Sequence, residues 1–149
     1  MFARILQTSN EFRLTLLRLV LGGVMLPHGL QKTVGAFGGY GFEGTMGYMT
    51  DVAKGPGLPY SIALLVVLAE SLGSIGLLLG CVTRVCALGI GAVMAGAMWT
   101  VHWQNGFFMN WGNNQKGEGF EFHILAIGLA VVLIVGGGGA LSIDRKLAK

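Results

Sequence analysis

Four stretches rich in apolar residues, each close to twenty positions long, alternate with polar segments: about 12–32, 59–80, 84–104 and 120–140. As a helix rising about 1.5 Å per residue, each is long enough for the ~30 Å hydrocarbon core of a bilayer. A bilayer admits helices or closed barrels, and continuous apolar runs favour helices. The pattern therefore predicts an all-α integral membrane protein, a four-transmembrane-helix bundle occupying 1–149 as a single domain. The first run is longer than a secretory h-region, contains Arg18 and is followed by no small-residue cleavage site, so it is expected to be retained.

The connections are unequal. Runs two and three are joined by a tight turn at Gly80-Cys81-Val82-Thr83, whereas 33–58 and 105–119 are long and rich in glycine and aromatics. If the spans alternate, both long loops share one side. Arg4, Arg13, Arg84, Arg145, Lys146 and Lys149 fall on the side of the termini, against Lys32, Lys54 and Lys116 on the other. That bias predicts cytoplasmic N- and C-termini and two long outer loops, with an aromatic belt of Trp99, Trp103, Phe107, Phe108, Trp111, Phe120 and Phe122. A short amphipathic helix is expected over Thr45–Lys54, with Met46, Met49 and Val52-Ala53 as its apolar side. The run Gly136–Gly139 is expected to loosen the inner end of the fourth span. Small residues spaced by four (Ala69/Gly73, Gly76/Gly80, Gly91/Ala95, Ala92/Gly96) suit close helix packing or a dimer face, so a homo-oligomer is expected.

Composition sharpens this picture. Only 11% of residues are charged and mean hydropathy is +0.67, against about 25% charged in soluble domains. The lipid bilayer is thus the first partner. The net charge of +3 comes from scattered residues that mostly flank apolar runs, which argues against nucleic acid. Cys81 and Cys86 match neither a C-x-x-C nor a zinc pattern and read as small packing residues.

Two charges interrupt the apolar runs: Arg18 in the first and Glu70 in the second. Counted from the outer ends of their spans, they differ in depth by less than about 5 Å, so a buried Arg18–Glu70 ion pair is expected. Arg18, Gly22, Met25, Gly29 and Lys32 share a helical stripe expected to face the bundle. The three histidines, His28, His102 and His123, fall near the outer interface, with Glu121 beside the last. Such a set can hydrogen-bond quinone carbonyls or relay protons, and with Lys32 it forms the candidate quinone and proton site. No metal is expected, because no H-x-x-x-H occurs and Glu121 and His123 point to opposite helix faces. No catalytic triad or haem attachment motif is visible, and catalytic residues are unassigned.

The combination resembles the DoxX family of small four-helix bacterial membrane proteins. The resemblance rests on Arg18 with Gly22; Leu26-Pro27-His28-Gly29-Leu30-Gln31-Lys32; Gly35-Ala36-Phe37-Gly38-Gly39 with Gly44-Thr45; Glu70 with Gly73; Gly80 with Thr83-Arg84; and Gly119-Phe120-Glu121. It runs over roughly 12–145, and Ser74 stands where the family often has a second glycine. The family is similar to the membrane subunit of thiosulfate:quinone oxidoreductase. The resemblance implies a multi-pass protein of the bacterial cytoplasmic (inner) membrane, and a quinone-linked redox subunit acting with partner redox proteins. The quinone is the implied cofactor, although the sequence itself requires none. The alternatives are a non-enzymatic scaffold for redox enzymes and a small-molecule or ion carrier.

Overall fold

The computed structural model describes residues 5–148. Arg4 and Lys149, counted above in the charge bias, lie outside the described residues. Helices are α1 (Phe12–Thr33), α2 (Gly41–Thr50), α3 (Tyr60–Leu79), α4 (Thr83–Ala97), α5 (Glu121–Gly136) and α6 (Ile143–Leu147). No strand occurs among the described residues. A five-residue π turn, Met98–His102, and a 3-10 turn, Trp103–Asn105, extend α4.

Three helical stretches are long and apolar enough to cross a membrane: Phe12–Thr33, Tyr60–Leu79 and Thr83–Asn105. The fourth expected span appears as α5, which is apolar but only 16 residues long. Each of the long helices buries one stripe at spacings of three and four. In α1 this includes Leu14, Arg18, Leu21, Met25 and Gly29, and in α4 Thr83, Ala87, Ile90 and Met94. With Leu77, Ala126, Ala130 and Leu133, the stripe residues Leu21, Met25, Ala87, Ile90 and Met94 form the main core, while Leu65, Leu72, Val85, Leu125 and Val135 remain exposed, as expected of helices facing lipid.

Glycine sets how closely α1 and α3 approach. A Cβ at Gly29 would lie 2.5 Å from the Glu70 carbonyl oxygen, and one at Gly22 would lie 3.0 Å from that of Ser74. Gly29 therefore faces Glu70–Ser71. Only four residues of α1 remain beyond Gly29, yet α3 continues ten residues beyond Glu70, so α3 overshoots α1 by about 9 Å. The overshoot is covered by α2, whose Met46 packs on Ala63 and Val67. The helix expected over Thr45–Lys54 thus starts earlier and stops before Asp51. The Asp51 carboxylate accepts the Ala53 N–H in a turn (2.8 Å), and Val52 is exposed.

At the end shared by the termini, Arg18 is 2% exposed. Its guanidinium donates to the carbonyls of Leu77 (2.8 Å), Leu78 (2.5 Å), Gly138 (2.9 Å) and Leu141 (2.6 Å). The expected ion pair with Glu70 is not formed. Arg18 is eleven residues from Gly29, about 16 Å down the helix, and a counting of depth that assumes level helix ends misses this offset. Instead of a carboxylate, the charge meets the negative end of the α3 dipole. Leu77 and Leu78 belong to the last turn of α3, which Gly80 (φ 66°) closes with a Cys81 N–H to Gly76 carbonyl bond of 2.8 Å, a Schellman arrangement.

The C-terminal segment completes this end. The Asp144 carboxylate accepts the N–H groups of Val82 (2.6 Å) and Thr83 (2.8 Å) at the start of α4, capping a positive helix end with a negative charge. Gly137 and Gly139 turn the chain at φ 79°. Of the glycine run expected to loosen the helix end, Gly137, Gly138 and Gly139 are buried, and the Gly138 carbonyl is tied to Arg18.

Replacing Arg18 with Met strands several buried carbonyls, and the expected loss of stability is about 3 kcal/mol or more. Arg18→Lys recovers only part of it, because one ammonium cannot serve four carbonyls in a planar fork. Gly29→Ala forces the α1 and α3 backbones apart and is expected to cost about 1–3 kcal/mol. Unfolding in detergent micelles measures all three; an Arg18→Met variant as stable as the parent would remove the role given to the clasp.

Candidate functional site

Glu70 lies at the middle of α3, about 15 Å from either end of the helix. Its side chain is buried, and its Oε2 stands 2.5 Å from Lys32 Nζ. The close approach at Gly29 makes this contact, since Lys32 is one turn beyond Gly29 on the same face of α1. Glu70 Oε2 is thus buried in an ion pair with the Lys32 ammonium. His28 precedes Lys32 by one turn and lies within electrostatic reach of both partners.

A second polar group forms where α5 meets the extension of α4. His123 is 5% exposed and its Nδ1 has no hydrogen-bond partner. Its ring lies 4.2 Å, centroid to centroid, from that of His102. His102 Nδ1 is 2.8 Å from the Glu118 carbonyl. A carbonyl only accepts, so that nitrogen carries the proton and Nε2 is left as the other hydrogen-bonding atom. Phe122 bridges the two groups, with its ring 6.1 Å from His28 and 5.7 Å from His123.

Both groups line one cavity of about 1110 Å³, together with Met25, Phe122 and Glu118. The cavity opens along the apolar flank of α3 and α4. The structure therefore brings together five of the residues singled out from the sequence: His28, Lys32, Glu70, His102 and His123.

Two others go elsewhere. Arg18 belongs to the clasp at the opposite end. Glu121 holds the 106–119 loop, where its Oε1 accepts the Met109 N–H (2.9 Å) and the Trp111 indole N–H (3.3 Å). Glu118, not singled out beforehand, is with Glu70 a second acidic residue that lines the cavity. Its backbone carbonyl positions His102, and its carboxylate accepts the Asn110 N–H at 2.6 Å. Phe122 was read only as part of an aromatic belt. Its place between His28 and His123 follows from being next to His123 at the start of α5, a signal the sequence does carry.

No group of three or more His, Cys, Asp or Glu is arranged to hold a metal ion among the described residues. Cys81 and Cys86 are free thiols, and Cys86 Sγ lies 3.6 Å from the Cys81 carbonyl.

Chemically, the cavity offers a cation, a carboxylate and imidazoles in an apolar wall. Donors and acceptors are both present, and one buried ring nitrogen, His123 Nδ1, has no hydrogen-bond partner. The match to known proteins agrees with the fold. No curated protein and no solved structure matches the chain. The DoxX family profile matches residues 13–103, more than half of the sequence, from the second residue of α1 through α4. Together with its apolar helices, this match establishes that the chain belongs to the DoxX family of membrane proteins.

Proposed function

We propose that the protein is a quinone-linked membrane subunit whose cavity receives the quinone headgroup, and that it works with partner redox proteins. The observation that carries this reading is a buried atom without a hydrogen-bond partner, His123 Nδ1, in one cavity that also holds the Lys32–Glu70 ion pair and is open on an apolar flank. Buried polar atoms are almost always satisfied, and an exception asks for a ligand or water. A quinone carbonyl needs donors, which Lys32 Nζ and an imidazole N–H supply. A quinol hydroxyl needs acceptors, which Glu70 Oε2 and an imidazole nitrogen supply. The residues thus suit both redox forms.

A bound quinone supplies the two-electron, two-proton chemistry. The protein's part is to orient the headgroup, exclude water and hold protons at Lys32, His28 and the His102–His123 pair. Electrons pass to or from a partner protein. The same reading makes α5 the fourth span of a single-domain bundle, in the cytoplasmic membrane of a bacterium. The bias of Arg and Lys towards the termini end supports cytoplasmic termini and outer 33–58 and 105–119 loops. The small-residue faces support association of copies.

Purified protein in liposomes is expected to bind ubiquinone or menaquinone, read by quenching of Trp99 and Trp103 fluorescence. Glu70→Gln and His123→Ala are each expected to weaken binding roughly tenfold, the worth of a hydrogen bond at a buried site. Circular dichroism and melting should show both variants folded. Wild-type protein that binds neither quinone would sink the proposal. Single cysteines at Val52 or Asn113, in a background lacking Cys81 and Cys86, are expected to react with an impermeant maleimide from outside the cell; labelling only after lysis would reverse the topology.

A further inference from the structure

Arg84, the second residue of α4, belongs neither to the clasp around Arg18 nor to the histidine cavity. Its guanidinium ties down the N-terminal segment instead. Nε and Nη2 donate to the Gln7 carbonyl (3.2 and 3.0 Å), and Nη1 donates to the Ile134 carbonyl in the last turn of α5. Thr8 Oγ1 donates to the Gly136 carbonyl (3.3 Å) and accepts the Gly139 N–H (2.7 Å). The segment 7–9 is therefore pinned across the C-terminal end of α5. Between segment and helix lies an open cleft of about 690 Å³, with Arg84 and Ser9 on its polar side and Leu14, Val131, Val132 and Val135 as its apolar wall.

The cleft keeps a cation with donors to spare. Of the five guanidinium N–H groups, one on each terminal nitrogen has no acceptor among the described residues. Glu11, the acid at the rim, is paired with Arg13 at 2.7 Å, so the Arg84 charge is left uncompensated. The three valines are exposed. Their flank of α5 continues through Gly128, where a Cβ would meet nothing within 4 Å.

We infer that this cleft binds one anionic phospholipid from the leaflet at the termini end, with its phosphate at Arg84 and an acyl chain along Val135, Val131 and Gly128, which share a helix face. An arginine that merely reaches the interface is ordinary. A cleft that sets its spare donors beside an apolar wall is a basic pocket at a membrane edge, the kind that takes lipid headgroups. Charge selects an anionic headgroup over a zwitterionic one, and donors on both terminal nitrogens suit phosphate oxygens. Position selects a lipid over a soluble anion. Arg84 begins a helical stretch long and apolar enough to cross the membrane, and a soluble anion would meet the cation yet leave the valines bare. The site stands apart from the quinone reading, since His102 lies near the other end of the same stretch.

Native mass spectrometry of the full chain, released from a non-ionic detergent, tests the site. Wild-type protein is expected to retain one phosphatidylglycerol at concentrations about tenfold below those needed for phosphatidylcholine with the same acyl chains. Arg84→Gln is expected to remove that preference. Because Arg84 also holds Gln7 and Ile134, Ser9→Glu keeps the test decisive if that variant fails to fold. Ser9 is exposed, and its substitution adds a negative charge at the rim without touching the bonds of Arg84. It is expected to weaken phosphatidylglycerol retention about threefold through like-charge repulsion and to leave phosphatidylcholine unchanged. Lys146→Gln, which removes an exposed cation at the same end, is expected to change neither. Equal retention of both lipids by the wild type would overturn the site. So would a loss in Lys146→Gln as large as that in Ser9→Glu, which would assign the preference to the general basic surface. Inorganic phosphate that protects the wild type from heat as well as phosphatidylglycerol does would give Arg84 to a soluble anion and overturn the lipid assignment.

Discussion

The arrangement depends on a buried guanidinium whose hydrogen bonds all go to backbone carbonyls. Arg18 takes the final carbonyls of α3 and two carbonyls of the segment after α5. Asp144 caps the start of α4. Around one tight corner, a negative helix end, a cation, an anion and a positive helix end therefore follow in order. Each charge is set against a partial charge of opposite sign, which lowers the cost of holding them in a dry place. The corner fixes how far α1 slides along α3. With Arg18 committed there, Glu70 is left to the other end of α1, where Lys32 is the cation in reach.

Two kinds of constraint cooperate in that sliding register. The clasp is polar and directional. The contacts at Gly22 and Gly29 are steric, because the backbones meet where a methyl group does not fit. Together they place His28 and Lys32 beside Glu70, and α5 brings His123 to the same cavity. The functional cluster is thus assembled from α1, α3, the α4 extension and α5, none of which holds more than two of its members.

Much of this was legible in the chain. Apolar runs near twenty residues marked the helices, because burial in lipid demands continuous apolarity and leaves a strong signal. The stripe through Arg18, Gly22, Met25 and Gly29 faces inward as its spacing implied. The histidines were recognisable as a group because all three fall near the ends of their helices on one side. The partner of Glu70 was not legible. Counting residues from helix ends gives depth only if the ends are level, and α3 begins well beyond the end of α1. The roles of Glu118 and Glu121 were not legible for a similar reason: the fold of the 106–119 loop, closed by Phe120 N–H bonds to the carbonyls of Gly106 and Phe107, sets Glu118 at the cavity and commits Glu121 to the loop backbone. Hydropathy contains no term for such a loop.

The π turn at Met98–His102 has a consequence for the two histidines. Such a turn holds one residue more than an α-helical turn, so it shifts the phase of everything after it. His102 meets His123 from the far side of that shift. Without the extra residue, His102 would be displaced by one helical step, about 100° around the axis. The pairing is therefore written into the chain as a count and not only as a residue type. A relative that keeps both histidines but drops one residue between Ala97 and Trp103 would retain the letters and lose the contact. Length in this short stretch is as much a part of the site as the imidazoles themselves.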